Sequence, residues 1–297
     1  MKVSILKDWE GNMMRQTPGG LGVWDGIKFT HEYSRLADVV IVLNALPSRI
    51  LGLHRKGGLW LMSQEPPHDF YRWQTEYFPF FDQVVSFWPP NEFPGINIVN
   101  YQTSLPWHVN RSYDELCSLG PFDLDKQDAV SWITSNLNTR PGHSLRLEFM
   151  QFLHDRNFSF DLFGRGFVPI EDKFDGIAPY KYSIAVENYA CNDYWTEKIA
   201  DCYLSWTMPI YYGCSNILEY FPERSMLRID PRHPEVALRK IEEAVSGNLW
   251  NECIPFIAEA RQLILDKYQF FPAIAERIKT AGLARAPRKI SSVKKIR

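Results

Sequence analysis

The chain has 297 residues, of which 45% are hydrophobic, and a formal net charge of -2. It can bury one large core or, as we expect, two of ordinary size, and its near-neutral charge does not suggest nucleic-acid binding. No apolar stretch approaches the roughly 20 residues that span a bilayer, and Lys7 and Asp8 come too early for a signal-peptide core, so we expect a cytoplasmic protein.

Short apolar runs rich in β-branched residues dominate the first part of the chain. Such runs, without strict alternation of polar and apolar residues, are typical of strands buried on both faces of a parallel sheet. They comprise residues 2–6, 38–46, 58–65, 83–88 and 96–101. Residues 113–130 are acidic and rich in turn-forming residues, which predicts a linker.

A second series of predicted strands follows, at residues 129–136, 158–164, 182–188, 208–213 and 226–230. Helical patterns lie between these strands at residues 144–155 and 197–206, and residues 232–281 also have a helical pattern. Strands that alternate with helices in two blocks predict an α/β protein with two domains. We place these domains at residues 1–125 and 126–281.

The end of the chain is basic. Its last 19 residues contain seven Lys or Arg and no acid, and we treat residues 282–297 as a basic tail. The favoured interpretation is a frayed, solubilising tail. The alternative is peripheral contact with an anionic membrane surface, at about 1 kcal/mol per basic residue.

The segment from Glu187 to Lys198 lies where an apolar strand pattern changes to a helical one. In a doubly wound sheet, ligands bind beyond the carboxyl ends of the strands, where helix N-termini offer free N–H groups. Asn192 or Asp193 could cap the helix, and Lys198 is a cation where the helix dipole favours an anion, as expected if a phosphate binds there. Glu197 could accept hydrogen bonds from a ribose or a sugar diol. The alternative is a surface Glu-Lys pair on an ordinary helix.

The stretch YKYSIAVENYACNDYWTEKIADCYLSWTMPIYYG, residues 180–213, resembles the hallmark region of glycosyltransferase family 10, the α-1,3/4-fucosyltransferases. That family has an aromatic-rich start, a Glu-Asn pair, a DYVTEK segment, a helix and then PIYYG or PIYWG. Val186 and Trp195 replace the family's usual Phe and Val and could reshape the nucleotide pocket. The resemblance implies that the donor is bound by Glu187, Asn188, Tyr194, Thr196, Glu197 and Lys198.

The resemblance extends upstream to SNLNTRPGHSLRLEFMQFL, residues 135–153. It carries a diphosphate-binding role over to Arg146, whose planar guanidinium suits phosphate oxygens. The alternative is a solvated arginine in the first turn of a helix. Arg165, in the segment FDLFGRG, is a weaker candidate for the donor side.

The resemblance also implies an architecture and a reaction. The architecture is of the GT-B type, with an N-terminal acceptor-binding and a C-terminal GDP-sugar-binding domain, both Rossmann-like, facing each other across a cleft. The reaction is an inverting transfer of fucose from GDP-fucose to a hydroxyl of a glycan acceptor, in the surface-glycan synthesis of a bacterium. No tightly bound cofactor is expected. The Asp-x-Asp segment at Asp123–Asp125 lies in the predicted linker, follows no strand and is interpreted as a solvated loop. Because Arg146 and Lys198 could bind the diphosphate, a divalent metal could stimulate the reaction but is not required.

Glu65 is the candidate base. It follows an apolar strand pattern and precedes two prolines in QEPP, which resembles the family's ESP segment with its proposed catalytic glutamate. A loop glutamate without function is the alternative, and His68 is the competing base because its ordinary pKa lies nearer neutrality. Trp73, Trp88 and Trp107 could stack on an acceptor sugar, although each is individually more typical of packing.

Three other functions are left as alternatives. A glycosyltransferase of the same fold could use a different GDP-sugar. A non-catalytic sugar-nucleotide or glycan-binding module would keep Arg146 and Lys198 but would not need Glu65. A sugar-nucleotide epimerase or dehydrogenase is disfavoured because no Gly-x-Gly-x-x-Gly follows the first strand.

Overall fold

The computed structural model describes residues 1–46, 50–103, 106–140 and 142–293. The chain divides into two compact units. The first contains Met1–Pro106, Ser112–Asp114 and Tyr268–Arg297, and the second contains Trp107–Arg111 and Glu115–Lys267. None of the described helices is both long and apolar enough to cross a membrane.

The strands and helices are numbered along the chain. The strands are β1 (Lys2–Leu6), β2 (Val23–Trp24), β3 (Ile27–Thr30), β4 (Val39–Leu43), β5 (Ile50–Arg55), β6 (Leu59–Met62), β7 (Gln83–Val85), β8 (Ile98–Val99), β9 (Gln127–Ile133), β10 (Asp161–Phe163), β11 (Tyr180–Val186), β12 (Met208–Tyr212), β13 (Leu227–Arg228) and β14 (Arg288–Val293). The helices are α1 (Tyr113–Ser118), α2 (His143–Asp155), α3 (Glu197–Leu204), α4 (Pro234–Ser246), α5 (Leu249–Leu263) and α6 (Phe270–Thr280).

The first unit is built on a sheet whose described strands have the order β2-β3-β1-β4-β6-β7-β8. All neighbouring pairs are parallel except β2 and β3. Every residue of β4 is buried, because Val39, Ile41 and Leu43 join one apolar cluster and Val40 and Val42 join the other. The continuous apolar run of β4 therefore has the cause predicted from the sequence, which is burial of both faces of the sheet.

The C-terminal segment belongs to the first unit, which differs from the predicted domain boundaries. Phe270, Phe271 and Ile274 of α6 pack in the same cluster as the core residues of β1, β3 and β4. This apolar face explains why the chain returns to the first unit after α5 instead of remaining in the second.

The tail also differs from the favoured expectation of a frayed end. Residues Arg288–Val293 form β14, which pairs antiparallel with β5. The Arg288 guanidinium donates a hydrogen bond to Asp38 at 2.7 Å and another to the Leu53 carbonyl at 2.8 Å. Part of the positive charge of the tail is therefore used within the fold. Residues 294–297 of the predicted tail lie outside the described residues.

The second unit contains a parallel sheet whose described strands have the order β10-β9-β11-β12-β13. Helix α2 lies between β9 and β10 in the chain, and α3 lies between β11 and β12. Because the carboxyl ends of parallel strands share one edge of a sheet, the residues after β9 and after β11 come together. Every strand predicted from the sequence is present, although most are shorter, and β2, β3, β5 and β14 were not predicted.

Candidate functional site

A charged, buried cluster begins directly after β11. The Glu187 side chain is completely inaccessible to solvent, and its carboxylate lies 3.1 Å from the ammonium of Lys198. Thr196 donates to the same carboxylate through its backbone N–H at 2.7 Å and through its hydroxyl at 2.8 Å. Glu187 therefore holds the first turn of α3 and orients Lys198. The structure does not show Glu187 presenting an oxygen to solvent, as direct donor binding by this residue would require.

The ionisation of this pair follows from its surroundings. Burial raises the pKa of Glu187, although the charge of Lys198 opposes the shift. Burial alone would lower the pKa of Lys198, but the carboxylates of Glu187 and Glu197 outweigh that effect and raise it. Lys198 is consequently a fixed cation throughout the neutral pH range.

The cap of α3 is Thr196, not Asn192 or Asp193 as expected. The Thr196 hydroxyl accepts a hydrogen bond from the Lys198 N–H. Asp193 instead has a left-handed backbone, with φ of 65°. Its carboxylate accepts hydrogen bonds from Asn216 and from the Tyr220 hydroxyl. Asp193 thus stabilises the loop before the helix. Thr196 caps the helix, which is a structural role that threonine commonly has and that does not require a ligand.

Arg146 reaches the residue next to Glu187. It is 4% exposed, and it donates to the side-chain oxygen of Asn188 at 2.7 Å and to the Ser135 carbonyl at 3.1 Å. Its Nε atom has no hydrogen-bond partner in the described part of the chain. Since Asn188 and Ser135 are neutral, the guanidinium charge is not compensated by these contacts.

The approach of α2 to Asn188 depends on a glycine. Gly142 precedes the helix with φ of +79°, and a Cβ atom added there would lie 1.7 Å from the Asn188 carbonyl oxygen. Only glycine fits this contact, because both the left-handed backbone and the missing side chain are needed. Gly142 was not identified from the sequence, although a glycine just before a helix at a predicted site is a usable signal.

Glu197 lies beside a second cation. Its carboxylate accepts a hydrogen bond from the Lys173 ammonium at 3.2 Å and lies 3.6 Å from His108. Burial would raise the pKa of Glu197, but Lys198 and Lys173 outweigh it and hold this pKa well below the usual range. The carboxylate of Asp201, which is also buried, accepts a hydrogen bond from the backbone N–H of His108 at 2.9 Å. Sequence reasoning missed Lys173, His108 and Asp201, which have no motif linking them to residue 197.

The remaining candidate residues of the second unit are aromatic or exposed. Tyr194 is 4% exposed, and its ring meets that of Tyr189 edge-on, at 6.3 Å between centroids. Arg165 is exposed. Trp195 is buried against Phe221, so this departure from the family pattern fills the core beside the α3 loop.

Glu65 lies in the first unit, three residues beyond the end of β6, and is half-buried. Its carboxylate makes no hydrogen bond or ion pair with any residue that the structure describes. The neighbouring side chain of Gln64 accepts a hydrogen bond from Asn44. His68, the competing base, accepts a hydrogen bond from the Phe70 N–H through its Nδ1 at 3.1 Å and so caps the 3-10 helix Asp69–Phe80.

The three tryptophans that could stack on an acceptor sugar differ in their exposure to solvent. Trp88 and Trp107 are each 2% exposed and are packing residues, whereas Trp73 is 45% exposed. Asp123 and Asp125 are exposed in the loop between α1 and β9, in agreement with the predicted loop. Among the described residues, no group of three or more His, Cys, Asp or Glu is arranged to hold a metal ion.

The second unit therefore brings together most of its predicted site residues. Arg146 and Lys198 are anchored to the consecutive residues Asn188 and Glu187 at the carboxyl edge of the sheet. Arg146 and Lys198 are therefore two cations held by neighbouring residues, and the Nε of Arg146 has no partner among the described residues. Such a pair favours binding of an anion with several oxygens, such as a diphosphate. Glu197, kept ionised, is suited to accept hydrogen bonds from hydroxyl groups.

Comparison with known families identifies this region. Residues 124–240 match the model described as glycosyltransferase family 10 (fucosyltransferase) C-term. All donor-site residues of the second unit named from the sequence lie within these bounds. The resemblance to this family is thus confirmed for residues 124–240.

Curated relatives match over part of their length. GDP-fucose protein O-fucosyltransferase 3 of Danio rerio is 30% identical over 101 residues, which cover 34% of this chain and 22% of the relative. Alpha-(1,3)-fucosyltransferase 4 of Mus musculus is 31% identical over 119 residues, which cover 38% of this chain and 27% of the relative. The match therefore spans less than a third of either relative.

Solved structures extend the likeness in fold to nearly the whole chain. An alpha-glucosyltransferase in complex with UDP is similar with a TM-score of 0.59 and 9% sequence identity, over 96% of this chain and 100% of that one. At this identity the likeness shows the fold alone. It confirms the predicted α/β class, with parallel sheets in GT-B type units.

Proposed function

We propose that this chain, whose residues 124–240 match the model of glycosyltransferase family 10, is a glycosyltransferase that transfers fucose from GDP-fucose to a hydroxyl of a glycan acceptor with inversion. The similar relatives are fucosyltransferases by name, and one is named for GDP-fucose. The observation that carries the proposal is the placement of Arg146 and Lys198 on the adjacent residues Asn188 and Glu187.

In the proposed reaction, the leaving group is the diphosphate of GDP. Arg146 and Lys198 bind its oxygens and stabilise the negative charge that develops as the bond from the anomeric carbon to the phosphate oxygen breaks. Because two cations already face the diphosphate, a divalent metal is not required, and transfer should continue after treatment with EDTA.

The acceptor hydroxyl must lose a proton as it attacks the anomeric carbon. We assign this proton to the Glu65 carboxylate, which has no competing partner among the described residues. The new carbon–oxygen bond forms on the face opposite the departing GDP, and this inverts the anomeric configuration. Glu197, in turn, is assigned to the hydroxyl groups of the donor's ribose, and Tyr194 to the donor side of the pocket.

The first test is transfer from GDP-fucose to an array of glycans by the purified protein. Labelled glycans and released GDP would support the proposal and identify the acceptor. Transfer from a different GDP-sugar, with none from GDP-fucose, would instead support the alternative donor. Binding of GDP-fucose with neither transfer nor hydrolysis would favour a non-catalytic module.

The proposed function is compatible with a cytoplasmic enzyme that contacts a membrane surface. We expect the protein to work in the cytoplasm, and any peripheral membrane contact to use the basic residues that β14 leaves exposed. A vesicle sedimentation experiment with and without phosphatidylserine tests that contact. Equal sedimentation with both vesicle types would argue against it.

A further inference from the structure

The first residue of α2 is a buried histidine that no role above explains. His143 is 4% exposed, and its Nδ1 atom has no hydrogen-bond partner in the part of the chain that the structure describes. A buried ring nitrogen without a partner costs stability, so its retention in a fold calls for an explanation. Arg146 lies three residues further along the same helix, hence on the same side as His143.

The charges around His143 are all positive. Among the residues that the structure describes, these charges belong to Arg146 on α2, Arg140 in the segment before α2 and Lys198 on α3. Burial, followed by these three charges, lowers the pKa of His143. Without a ligand the imidazole is therefore neutral at neutral pH.

Among the described residues, Lys198 has a carboxylate partner but Arg146 has none. Lys198 is paired with Glu187, which is fully buried behind it. The Arg146 guanidinium, however, is hydrogen-bonded to neutral oxygens of Asn188 and Ser135, and its Nε is unpartnered. The missing countercharge is consistent with an anionic ligand, and a ligand of that charge would reverse the electrostatic field acting on His143.

We propose that His143 is a proton-linked member of this anion site, which takes up one proton from solvent when a nucleoside diphosphate binds. The inference rests on the proposed function, since GDP is the diphosphate expected here. The neutral imidazole limits repulsion with Arg146 and Lys198 in the free protein. The imidazolium then adds one more positive charge when the diphosphate is present and, later, when it leaves as GDP.

The direction of the pH effect follows from linkage. A group whose pKa is higher in the complex than in the free protein strengthens binding below the higher pKa. GDP affinity should therefore rise as the pH is lowered through the neutral range. A pKa difference of one unit corresponds to about a tenfold change in affinity.

The experiment is calorimetric titration with GDP at neutral pH in buffers of different ionisation enthalpy, which yields the number of protons taken up. We expect the wild-type protein to take up close to one proton. The variant His143→Asn, which keeps a polar group but cannot titrate, should take up none and should lose about tenfold in affinity at pH 7. His154→Asn, the same substitution at an exposed position of the same helix, should behave as wild type.

The outcomes separate the two proposals. GDP binding without proton uptake in the wild type, or equal uptake in wild type and His143→Asn, would overturn the role of His143 and leave the proposed function intact. No binding of GDP by the wild type would overturn the donor assignment, and this inference with it. If His143→Asn does not fold, His143→Gln supplies the comparison.

Discussion

Two strand-to-loop transitions carry the proposed chemistry, and they differ in how their charges are held. We call residues 187–198 the β11 turn and residues 63–68 the β6 turn. In the β11 turn, Glu187 accepts hydrogen bonds from Thr196 and Lys198 and is fully buried. In the β6 turn, Ser63 and Gln64 are bonded to neutral amides, whereas the carboxylate of Glu65 has no partner among the described residues.

This difference in carboxylate pairing agrees with the role proposed for each turn. A leaving group that gains negative charge is best stabilised by cations that are already in place. No reorganisation of the protein is then needed as the charge develops. Buried charges of this kind must be paired, and the interlocked carboxylates of the β11 turn supply that pairing. A general base must instead accept a proton, so a carboxylate locked in an ion pair would be a poorer base.

The largest expected effect is on turnover in the β6 turn. Glu65→Gln should lower the rate of transfer by about 10² to 10⁴ and leave GDP affinity nearly unchanged, because the amide keeps the shape but cannot take the proton. The measurement is steady-state transfer with GDP titration by calorimetry. Glu76→Gln, an exposed residue of the same unit, is the control and should keep full activity. Unchanged turnover in Glu65→Gln would remove Glu65 from the mechanism.

The second prediction concerns the close contact between Gly142 and the backbone of Asn188 in the β11 turn. Gly142→Ala should destabilise the protein by more than about 3 kcal/mol, because it adds a clash with the Asn188 backbone to the cost of a left-handed alanine. Gly282→Ala is the matched control, with φ of +63° and no atom within 4 Å of the added Cβ, so it should cost about 1 kcal/mol. The comparison is made by denaturant unfolding, and equal losses would show that the α2 contact does not constrain residue 142.

The third prediction concerns the leaving-group cation. Lys198→Ala should weaken GDP affinity by about tenfold to a hundredfold, the usual worth of one charge-assisted hydrogen bond. Because this variant also leaves Glu187 buried without its partner, the double variant Lys198→Ala with Glu187→Gln separates binding from stability. Lys240→Ala, on the exposed face of α4, serves as the control. Wild-type affinity in Lys198→Ala would refute the assignment.

The smallest effect is a pH dependence within the β11 turn. Lys198 and Lys173 hold the pKa of Glu197 low against the effect of burial, so its stabilising contribution is present above the unfolded-state pKa and is lost as the pH falls through the folded one. Glu197→Gln should therefore flatten the loss of stability below about pH 5. Unfolding followed from pH 7 to pH 3 measures this, and an unchanged slope would contradict the ion-pair account.

Prediction from the sequence succeeded where local pattern carried the information. The apolar runs gave the strands of both parallel sheets, because a strand buried on two faces needs an uninterrupted apolar stretch. It was less successful for short or edge elements such as β2, β5 and β14, whose residues have no such requirement. The basic composition of the last residues gave no sign that Arg288 pairs with Asp38 at the other end of the chain.

The sequence by itself determined the fold class, the resemblance of residues 124–240 to glycosyltransferase family 10, and the presence of Arg146 and Lys198 at the starts of two helices that each follow a strand. Only the tertiary structure decided that Glu187 is a buried support of Lys198, that Lys173 and His108 flank Glu197, and that His143 is buried with an unpartnered Nδ1 in the part of the chain that the structure describes. The reason is physical, since periodicity and residue type report local backbone and average burial, whereas the partner of a buried charge is set by which distant segments pack together.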